Sequence, residues 1–393
     1  MYNKSKTTTF PAFDQLTIRK PCERYEKAAH HNFLLTSRHG VVEFCYIPDV
    51  VEASPDLINA ERVTSWISRQ TDVDGPFSYH LIAGGRSNLT FTVEQDGQTL
   101  FVLRRPPVGP LLPSAHDMAR EHRLMGALRD SDVPVPEMIG LCQDERVNGR
   151  DFYVMRFVDG LVVRDIDVAL TTSVSVRRTI SESLIKTLVA LHRVDIDQVG
   201  LGDLSKRTGY IERQVKRWTT QWENSRTRDL PIVDAVAKAL LARMPQPNPT
   251  AIAHGDYRLS NCMVDSQGFV TAVLDWELCT LGEPMADLGG LLGYWHDPQE
   301  IDPSGDAEST GLPGFLTQHE MAVMYSEAMN ADIGSIIYYQ AFAQWRLACI
   351  AEGVYARYLG GQQGSQDEEI DLERMKSSVS ERAERAAQLL NID

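Results

Sequence analysis

The chain has few cysteines and no pattern that would use them together. Its six cysteines are scattered through 393 residues, with no C-x-x-C pair and no histidine at the spacing of a metal site. It also lacks any run of roughly 18 uncharged apolar residues, the length that a membrane helix requires. We therefore expect reduced thiols, no membrane partner and a cytoplasmic location.

Positive charge is also in deficit, since the formal net charge is −15. Proteins that bind nucleic-acid backbones gain affinity from Lys and Arg that release counterions, so the charge argues against a general nucleic-acid binder. Residues 301–393 carry fifteen acidic side chains against six Lys and Arg, many of them in 366–373. We interpret that run as a solvated face or loop, with a funnel for a cationic substrate as the alternative.

The most informative stretch that is present spans residues 254–261 and reads HGDYRLSN, an H-x-D-x-x-x-x-N pattern. In this pattern Asp256 can take the proton of an acceptor hydroxyl, and Asn261 offers an amide oxygen to Mg²⁺. Asp275 follows as the second metal ligand, and apolar runs around Ser266-Gln267-Gly268 predict a hairpin that returns it to Asn261. The pattern predicts a phosphotransferase site rather than a structural His–Asp pair, and we expect His254 to orient the loop.

The first half of the chain shows mainly strand patterns. Residues 1–53 have no sustained periodicity and are interpreted as an arm of unknown order. A helical pattern begins at Ser54-Pro55-Asp56, with Asp56 in its first turn. Strands are predicted over 79–83, 89–93, 100–104 and 152–158, with a hairpin turn at Asp96-Gly97. A helix is predicted over 115–129, begun by a capping box over 114–117.

A turn at Asp159-Gly160 marks the predicted boundary between two lobes. Beyond it, apolar residues at 180, 184, 188 and 191 predict a long amphipathic helix, and more helices lie on either side of the hairpin. No internal repeat is present. The sequence therefore predicts an α+β protein with the two-lobed plan of protein kinases, in which a small β-rich N-terminal lobe over 54–158 precedes a larger, mainly helical C-terminal lobe over 159–393.

The N-terminal lobe contains candidates for nucleotide binding. Glycines between two strands let the backbone approach phosphate, and neighbouring polar side chains add donors, although an ordinary turn is the alternative. The residues of this predicted loop are Gly84, Gly85, Arg86, Ser87 and Asn88. Arg104 stands where kinases carry a lysine, and Glu121 on the next helix is its expected ion-pair partner. We prefer Arg104 to Arg105 because adjacent strand residues point to opposite faces. Met155 and Phe157, where the lobes join, are expected to contact the adenine.

These motifs together resemble the aminoglycoside phosphotransferase and choline kinase-like superfamily, and most closely the branch similar to the kinase-like domain fused to acyl-CoA dehydrogenases in animals. The likeness is carried by residues 85–88, 102–107, 116–121, 153–155, 254–261 and 274–277. It implies ATP or GTP as donor, Mg²⁺, and a small hydroxylated acceptor. Carried over to this chain, it implies Asp256 as the base, Asn261 and Asp275 as metal ligands, Arg258 as the cation beside the transferring phosphoryl group, and Asp287 as a structural carboxylate.

Two other functions remain open from the sequence. A nucleotide-binding pseudokinase is the alternative if Arg104 cannot align the phosphates. A metal-dependent hydrolase is disfavoured, because hydrolytic metal sites collect more His and carboxylate ligands than this motif offers. The acceptor also stays open among a hydroxyacyl thioester of coenzyme A, an aminoglycoside, choline and a sugar. Candidates for the acceptor side, with core packing as the alternative, are Trp276, Glu277, Tyr294, Trp295 and His296.

Overall fold

The computed structural model describes residues 33–38, 41–46, 50–53, 57–82, 88–107, 117–298, 309–361 and 371–392. A β-sheet dominates the N-terminal part of these residues, and helices dominate the C-terminal part. The predicted two-lobed, kinase-like fold is therefore confirmed. None of the described helices combines the length and apolar content needed to cross a bilayer.

The N-terminal lobe is built on an antiparallel sheet of six strands. Its elements in chain order, preceded by a separate hairpin of β1 (Phe33–Arg38) and β2 (Val41–Tyr46), are β3 (Val50–Glu52), α1 (Ala60–Gln70), β4 (Ser78–Ile82), β5 (Leu89–Gln95), β6 (Gln98–Arg105), α2 (Met118–Leu128), β7 (Met138–Cys142), α3 (Glu145–Asn148) and β8 (Phe152–Arg156). The strand order is β3-β4-β5-β6-β8-β7. Because β3 pairs with β4, the sheet includes residues that precede the predicted boundary at 54.

Local signals explain most of these elements. Asp96 and Gly97 both have positive φ, at 51° and 78°, which is the geometry of the predicted hairpin turn between β5 and β6. The helix predicted from Ser54 begins only at Ala60, because the Asn59 side chain accepts a hydrogen bond from the Arg62 N–H and serves as the N-cap. Asp56 lies outside the described residues.

Helix α2 also begins later than predicted. Its N-cap is Asp117, whose side chain accepts a hydrogen bond from the Arg120 N–H, so the helix starts at Met118 rather than at residue 115. The predicted cap residue Ser114 lies outside the described residues. Placing the start at Met118 leaves Glu121 in the first helical turn, on the side that faces the sheet.

The C-terminal lobe surrounds two small strand groups with helices. Its elements are β9 (Leu161–Val162), α4 (Ile166–Leu170), α5 (Val174–Arg193), α6 (Tyr210–Ser225), α7 (Pro231–Ala242), β10 (Ala251–Ala253), β11 (Cys262–Val264), β12 (Val270–Val273), β13 (Thr280–Gly282), α8 (Pro284–Gly293), α9 (Gln318–Met329), α10 (Ile336–Leu359) and α11 (Leu372–Leu389). Strands β12, β11 and β9 form one sheet, and β10 pairs with β13. The long helix predicted from residues 180 to 191 is α5.

Helix α10 organises the packing of this lobe. It is buried over most of its length and contacts α6, α8 and α11. Gly289 of α8 permits the close approach, since a Cβ there would lie 2.6 Å from the backbone carbon of Tyr339 in α10. Because α8 begins just after β13, this packing fixes the position of the strands that precede it.

The β6–β8 part of the sheet faces both cores. Phe101 and Leu103 pack into the core of the N-terminal lobe, whereas Val102 packs into the core shared with the C-terminal lobe. Arg104 has the same parity as Val102 along the strand and therefore faces the C-terminal lobe. The described cysteines, Cys142, Cys262, Cys279 and Cys349, are unpaired and buried.

Candidate active site

The predicted hairpin brings Asn261 and Asp275 together. Strands β11 and β12 pair antiparallel with Cys262 opposite Val273, and the Leu274 N–H donates to the Asn261 carbonyl at 2.8 Å. Gly268 turns the hairpin with φ of 90°, a conformation that disfavours a side chain. Asn261 and Asp275, fourteen positions apart in the sequence, therefore lie at the same end of the hairpin.

His254 orients the loop of residues 254–261. The Asp256 N–H donates to its Nδ1 at 3.2 Å, so Nε2 carries the proton and donates to the Leu274 carbonyl at 2.9 Å. The ring is fully buried and lies 4.7 Å from the Trp276 ring. Both ring nitrogens are therefore occupied in fixing the backbone, and Trp276 belongs to the core.

Asp287 supports the same loop from helix α8. Its carboxylate accepts the N–H groups of His254 at 2.6 Å and Gly255 at 2.9 Å, and it lies 3.4 Å from Nε2 of His192. Burial raises the pKa of Asp287, but the hydrogen bond from His192, the electrostatic influence of His192 and His254, and the Gly255 N–H outweigh it and lower that pKa overall. This buried carboxylate holds the backbone, as the resemblance implied.

Asp256 presents a carboxylate held by two side-chain hydrogen bonds and one ion pair. Its Oδ2 accepts from Asn261 Nδ2 at 2.9 Å and lies 3.2 Å from Arg258 Nε. Its Oδ1 accepts from the Tyr294 hydroxyl at 3.4 Å. The side chain is 18% exposed, so the carboxylate is fixed in place yet accessible to a ligand. It can therefore accept the proton of a hydroxyl group that approaches it.

The oxygen atoms of Asn261 and Asp275 fit a magnesium ion. Asn261 uses Nδ2 for both of its hydrogen bonds to Asp256, which leaves the amide oxygen for another partner. Asp275 has φ of 62°, uncommon for a non-glycine residue, and its side chain is 30% exposed. Within the described ranges no three His, Cys, Asp or Glu side chains could share a metal. Mg²⁺ is commonly held by one or two carboxylates with water and phosphate, so the donors present suit it better than a hydrolytic metal.

Arg104 connects this site to the N-terminal lobe. Its Nη2 donates to Asp275 Oδ1 at 2.7 Å, and its Nε lies 3.4 Å from Glu121 Oε2. Glu121 is 2% exposed, and its pKa is raised by burial, against the opposing effects of the Arg104 charge and of the hydrogen bond from Tyr153. Arg105 instead donates to the Leu57 carbonyl. Arg104 is therefore the arginine of this pair that reaches Asp275.

The other predicted nucleotide contacts have mixed placements. Asn88 is buried and donates to Glu121 Oε1 at 3.2 Å. The Phe157 N–H donates to the Leu100 carbonyl at 3.0 Å, so this amide is already engaged, and Met155 packs within β8 toward the C-terminal core. The remaining members of the predicted glycine loop lie outside the described residues; they are Gly84, Gly85, Arg86 and Ser87. Nucleotide binding by these residues stays a prediction.

Arg346 and Arg382 were missed by sequence reasoning, whereas Arg258 was among the predicted site residues. The Arg258 guanidinium lies over the Tyr294 ring, 5.0 Å from the ring centroid. The guanidinium of Arg382, on α11, lies 5.9 Å from the same centroid. Arg346 of α10 is buried nearby and acts electrostatically on Tyr294. No local motif marks Arg346 or Arg382, because only helix packing brings them to the site. Trp295, by contrast, is a core residue bonded to the Leu316 carbonyl.

The chain is similar to known proteins in sequence and in fold. The family model of the phosphotransferase enzyme family matches residues 78–315. Acyl-CoA dehydrogenase family member 11 of Gallus gallus is 34% identical over 294 residues, which are 73% of this chain but 38% of that protein. The chain thus spans well under half the length of this relative.

Solved structures agree with that match. A candidate aminoglycoside phosphotransferase from Ralstonia eutropha is 33% identical, with a TM-score of 0.70 over 84% of this chain and 98% of that one. A mutant of aminoglycoside phosphotransferase APH(4)-Ia, solved with AMP-PNP and hygromycin B, has the same fold at 14% identity, with a TM-score of 0.53 over 84% of this chain and 98% of that one. The chain belongs to the phosphotransferase enzyme family.

Proposed function

We propose that the protein transfers the γ-phosphoryl group of ATP, in the presence of Mg²⁺, to a hydroxyl group of a small molecule. The observation that carries the proposal is the partly exposed Asp256 carboxylate, held by Asn261, Arg258 and Tyr294. Arg104 reaches Asp275 from the other lobe, so a triphosphate between the lobes would meet charged groups from both.

Each residue has a distinct role in this reaction. Asp256 takes the proton of the attacking hydroxyl, and its hydrogen bonds with Asn261 and Tyr294 and its ion pair with Arg258 keep the carboxylate in one orientation. Arg258 stands beside it, where a guanidinium can stabilise charge on the transferring group. Asn261 Oδ1 and Asp275 would hold Mg²⁺, which when bound neutralises phosphate charge. Arg104 is kept in place by Glu121 and can bind phosphate oxygens with two donors.

The identity of the acceptor is less constrained than the chemistry. The dehydrogenase-family relative suggests a hydroxyacyl-CoA, and the complex with hygromycin B suggests an aminoglycoside-like compound. GTP is the alternative donor to ATP. A nucleotide-binding pseudokinase would differ from the proposed enzyme in one respect, since it would bind the nucleotide without transferring phosphate.

Thermal unfolding tests the nucleotide site first. The midpoint is measured with ATP, GTP or buffer, with and without Mg²⁺, for the wild type, Asp275→Asn, Asp256→Asn and the exposed control Asp130→Asn. Ligand at 100 times its Kd stabilises the folded state by about 2.7 kcal/mol. We expect a Mg²⁺-dependent upward shift that is lost in Asp275→Asn and kept in the other two variants.

Turnover then separates the enzyme from a pseudokinase. ATP consumption is followed with hydroxyacyl-CoA and aminoglycoside acceptors, and Asp256→Asn is expected to lower kcat by about 10²- to 10⁴-fold, as loss of a general base does. Absence of any shift at millimolar nucleotide would contradict the proposal. Unchanged turnover in Asp256→Asn would remove Asp256 from the base role.

A further inference from the structure

Arg346 is a buried arginine whose Nε has no hydrogen-bond partner among the residues that the structure describes. It lies on α10 with 6% of its surface exposed. Across the part of the chain that the structure describes, its guanidinium makes no hydrogen bond or ion pair. Arginine is rarely buried unless it is paired, because an uncompensated charge in the interior is costly. A guanidinium kept in this state is suited to receive an anion.

The surroundings of Arg346 belong to the acceptor side of the site. Arg258 and Arg382 flank the Tyr294 ring, and the Tyr294 hydroxyl donates to Asp256 Oδ1 at 3.4 Å. Burial and the Asp256 charge raise the pKa of Tyr294 to about 12, while the positive charges of Arg258, Arg346 and Arg382 oppose that rise. Arg258 and Arg382 therefore lie against the ring whose hydroxyl donates to the proposed base, and Arg346 adds a third positive charge to its environment.

Packing holds these arginines in a fixed relation. Arg382 Nη1 donates to Gln344 Oε1 at 3.3 Å, and Gln344 Nε2 donates to the Gly293 carbonyl at 2.6 Å, next to Tyr294. A Cβ at Gly293 would lie 3.5 Å from the Ala343 Cβ of α10, and Arg346 follows Ala343 by three residues, on the same face of that helix. Helices α8, α10 and α11 thus meet at one point beside Asp256, and each supplies a group to it.

We propose that Arg346 and Arg382 form a subsite that binds a carboxylate or phosphate group of the acceptor, while the acceptor hydroxyl faces Asp256. This inference rests on the proposed function and deepens it by specifying an anionic acceptor. A guanidinium offers several donors in one plane, and charge-assisted hydrogen bonds to a carboxylate or phosphate are strong in a buried setting. A cationic acceptor would instead meet three like charges.

The acidity of the chain does not oppose this subsite. The net charge of −15 acts over long distances, where salt at physiological concentration screens it within about 8 Å. A buried guanidinium in contact with the ligand is screened far less. The local arginines therefore decide which charge binds at the site, whereas the overall charge affects only the rate of encounter.

The first test measures anion binding without turnover. Thermal unfolding is followed with Mg²⁺ and AMP-PNP present to fill the nucleotide site, while inorganic phosphate or acetate is titrated at constant ionic strength. The proteins are the wild type, Arg346→Met, Arg382→Gln and the exposed control Arg129→Gln. We expect at least one anion to raise the midpoint of the wild type and of the control, and Arg346→Met to lose that shift. The anion that acts distinguishes a carboxylate from a phosphate subsite.

The same variants separate binding from a structural role. Without anion, Arg346→Met should be at least as stable as the wild type, because it removes a buried unpaired charge. A clear fall in its midpoint would mean that the guanidinium supports the fold, and would overturn the inference. An anion shift of equal size in the wild type and Arg346→Met would overturn it as well.

Acceptor kinetics provide the second test. Hydroxy acids and sugar phosphates are compared with neutral polyols and cationic amino sugars. Arg346→Met should raise KM for the anionic acceptors by about tenfold or more, the cost of a charged hydrogen bond, with kcat nearly unchanged. Preference for a cationic acceptor in the wild type would overturn the subsite. Failure of the proposed function is recognised separately, because then the nucleotide itself would produce no Mg²⁺-dependent shift.

Discussion

Replacement of Arg104 by Met removes the cation that joins the two lobes. Its guanidinium is 14% exposed and lies between Glu121, which is 2% exposed, and Asp275, which is 30% exposed. Met keeps most of the side-chain length without the charge. In the variant Glu121 stays buried without the Arg104 charge, and its carboxylate keeps the hydrogen bonds from Tyr153 at 2.9 Å and from Asn88 at 3.2 Å.

The size of the effect follows from burial. Removing one partner of a buried ion pair typically costs about 3–5 kcal/mol, because a charge is left uncompensated. Tyr153 and Asn88 donate to Glu121 in both proteins and partly stabilise the charge that remains, which favours the lower part of that range. We expect the free energy of unfolding to fall by about 2–4 kcal/mol at pH 8.

The loss should depend on pH with a defined sign. Burial raises the pKa of Glu121 above its ordinary 4.5, and Arg104 works against that rise. In Arg104→Met the folded-state pKa rises further, so the folded protein binds a proton more readily than the unfolded chain. The destabilisation is then full above the folded-state pKa and shrinks as the pH falls through it toward 4.5.

Urea unfolding at pH 8 and pH 5.5 measures both effects, and the double variant Arg104→Met/Glu121→Gln identifies the cause. If the buried Glu121 charge is responsible, the double variant regains most of the stability at pH 8. An Arg104→Met protein as stable as the wild type at pH 8 would refute the reasoning. The reasoning would also be refuted if Arg104→Met lowered the free energy of unfolding equally whether residue 121 is Glu or Gln.

Three further predictions concern the 254–261 loop and its support. Gly255→Ala should destabilise the fold by about 1–3 kcal/mol in thermal unfolding, because φ is 84° and the added Cβ would lie 2.7 Å from the Leu278 carbonyl oxygen, whereas Gly126→Ala in α2 has open space and should be neutral or stabilising. Asp287→Asn should lower the free energy of unfolding by about 2–3 kcal/mol at pH 7, because a loop N–H loses its acceptor. Since the folded-state pKa of Asp287 lies below its ordinary 3.8, the difference in stability between wild type and variant should shrink as the pH falls below 3.8. Urea unfolding at pH 7 and pH 3 would detect this change. Arg258→Gln should lower kcat by about 10²-fold and leave the KM for the nucleotide within about twofold of the wild-type value. A kcat equal to that of the wild type would exclude a role of Arg258 in stabilising the transferred group.

The features that the sequence predicted are those set by short spacing. Asp256, Asn261 and Asp275 lie within twenty positions, and a hairpin of ordinary length is enough to bring them together. The turn at Asp96-Gly97 depends on two residues that tolerate positive φ. Helix starts were less predictable, because Asn59 and Asp117 act as caps where other polar residues nearby could have done so.

The acceptor side could not be predicted in this way, because distant elements build it. Arg382 reaches Tyr294 only because α11 packs on α10 and α10 packs on α8, where Gly289 permits close contact. The same contacts bury Arg346, which no motif distinguishes from an exposed arginine. Composition gave no sign of these arginines, since the acidic C-terminal quarter was interpreted as a solvated face or loop, with a funnel for a cationic substrate as the alternative. Net charge reports the average surface, whereas the chemistry of a cleft depends on the few side chains that packing turns inward, so the charge of the acceptor has to be inferred from Arg346 and its neighbours.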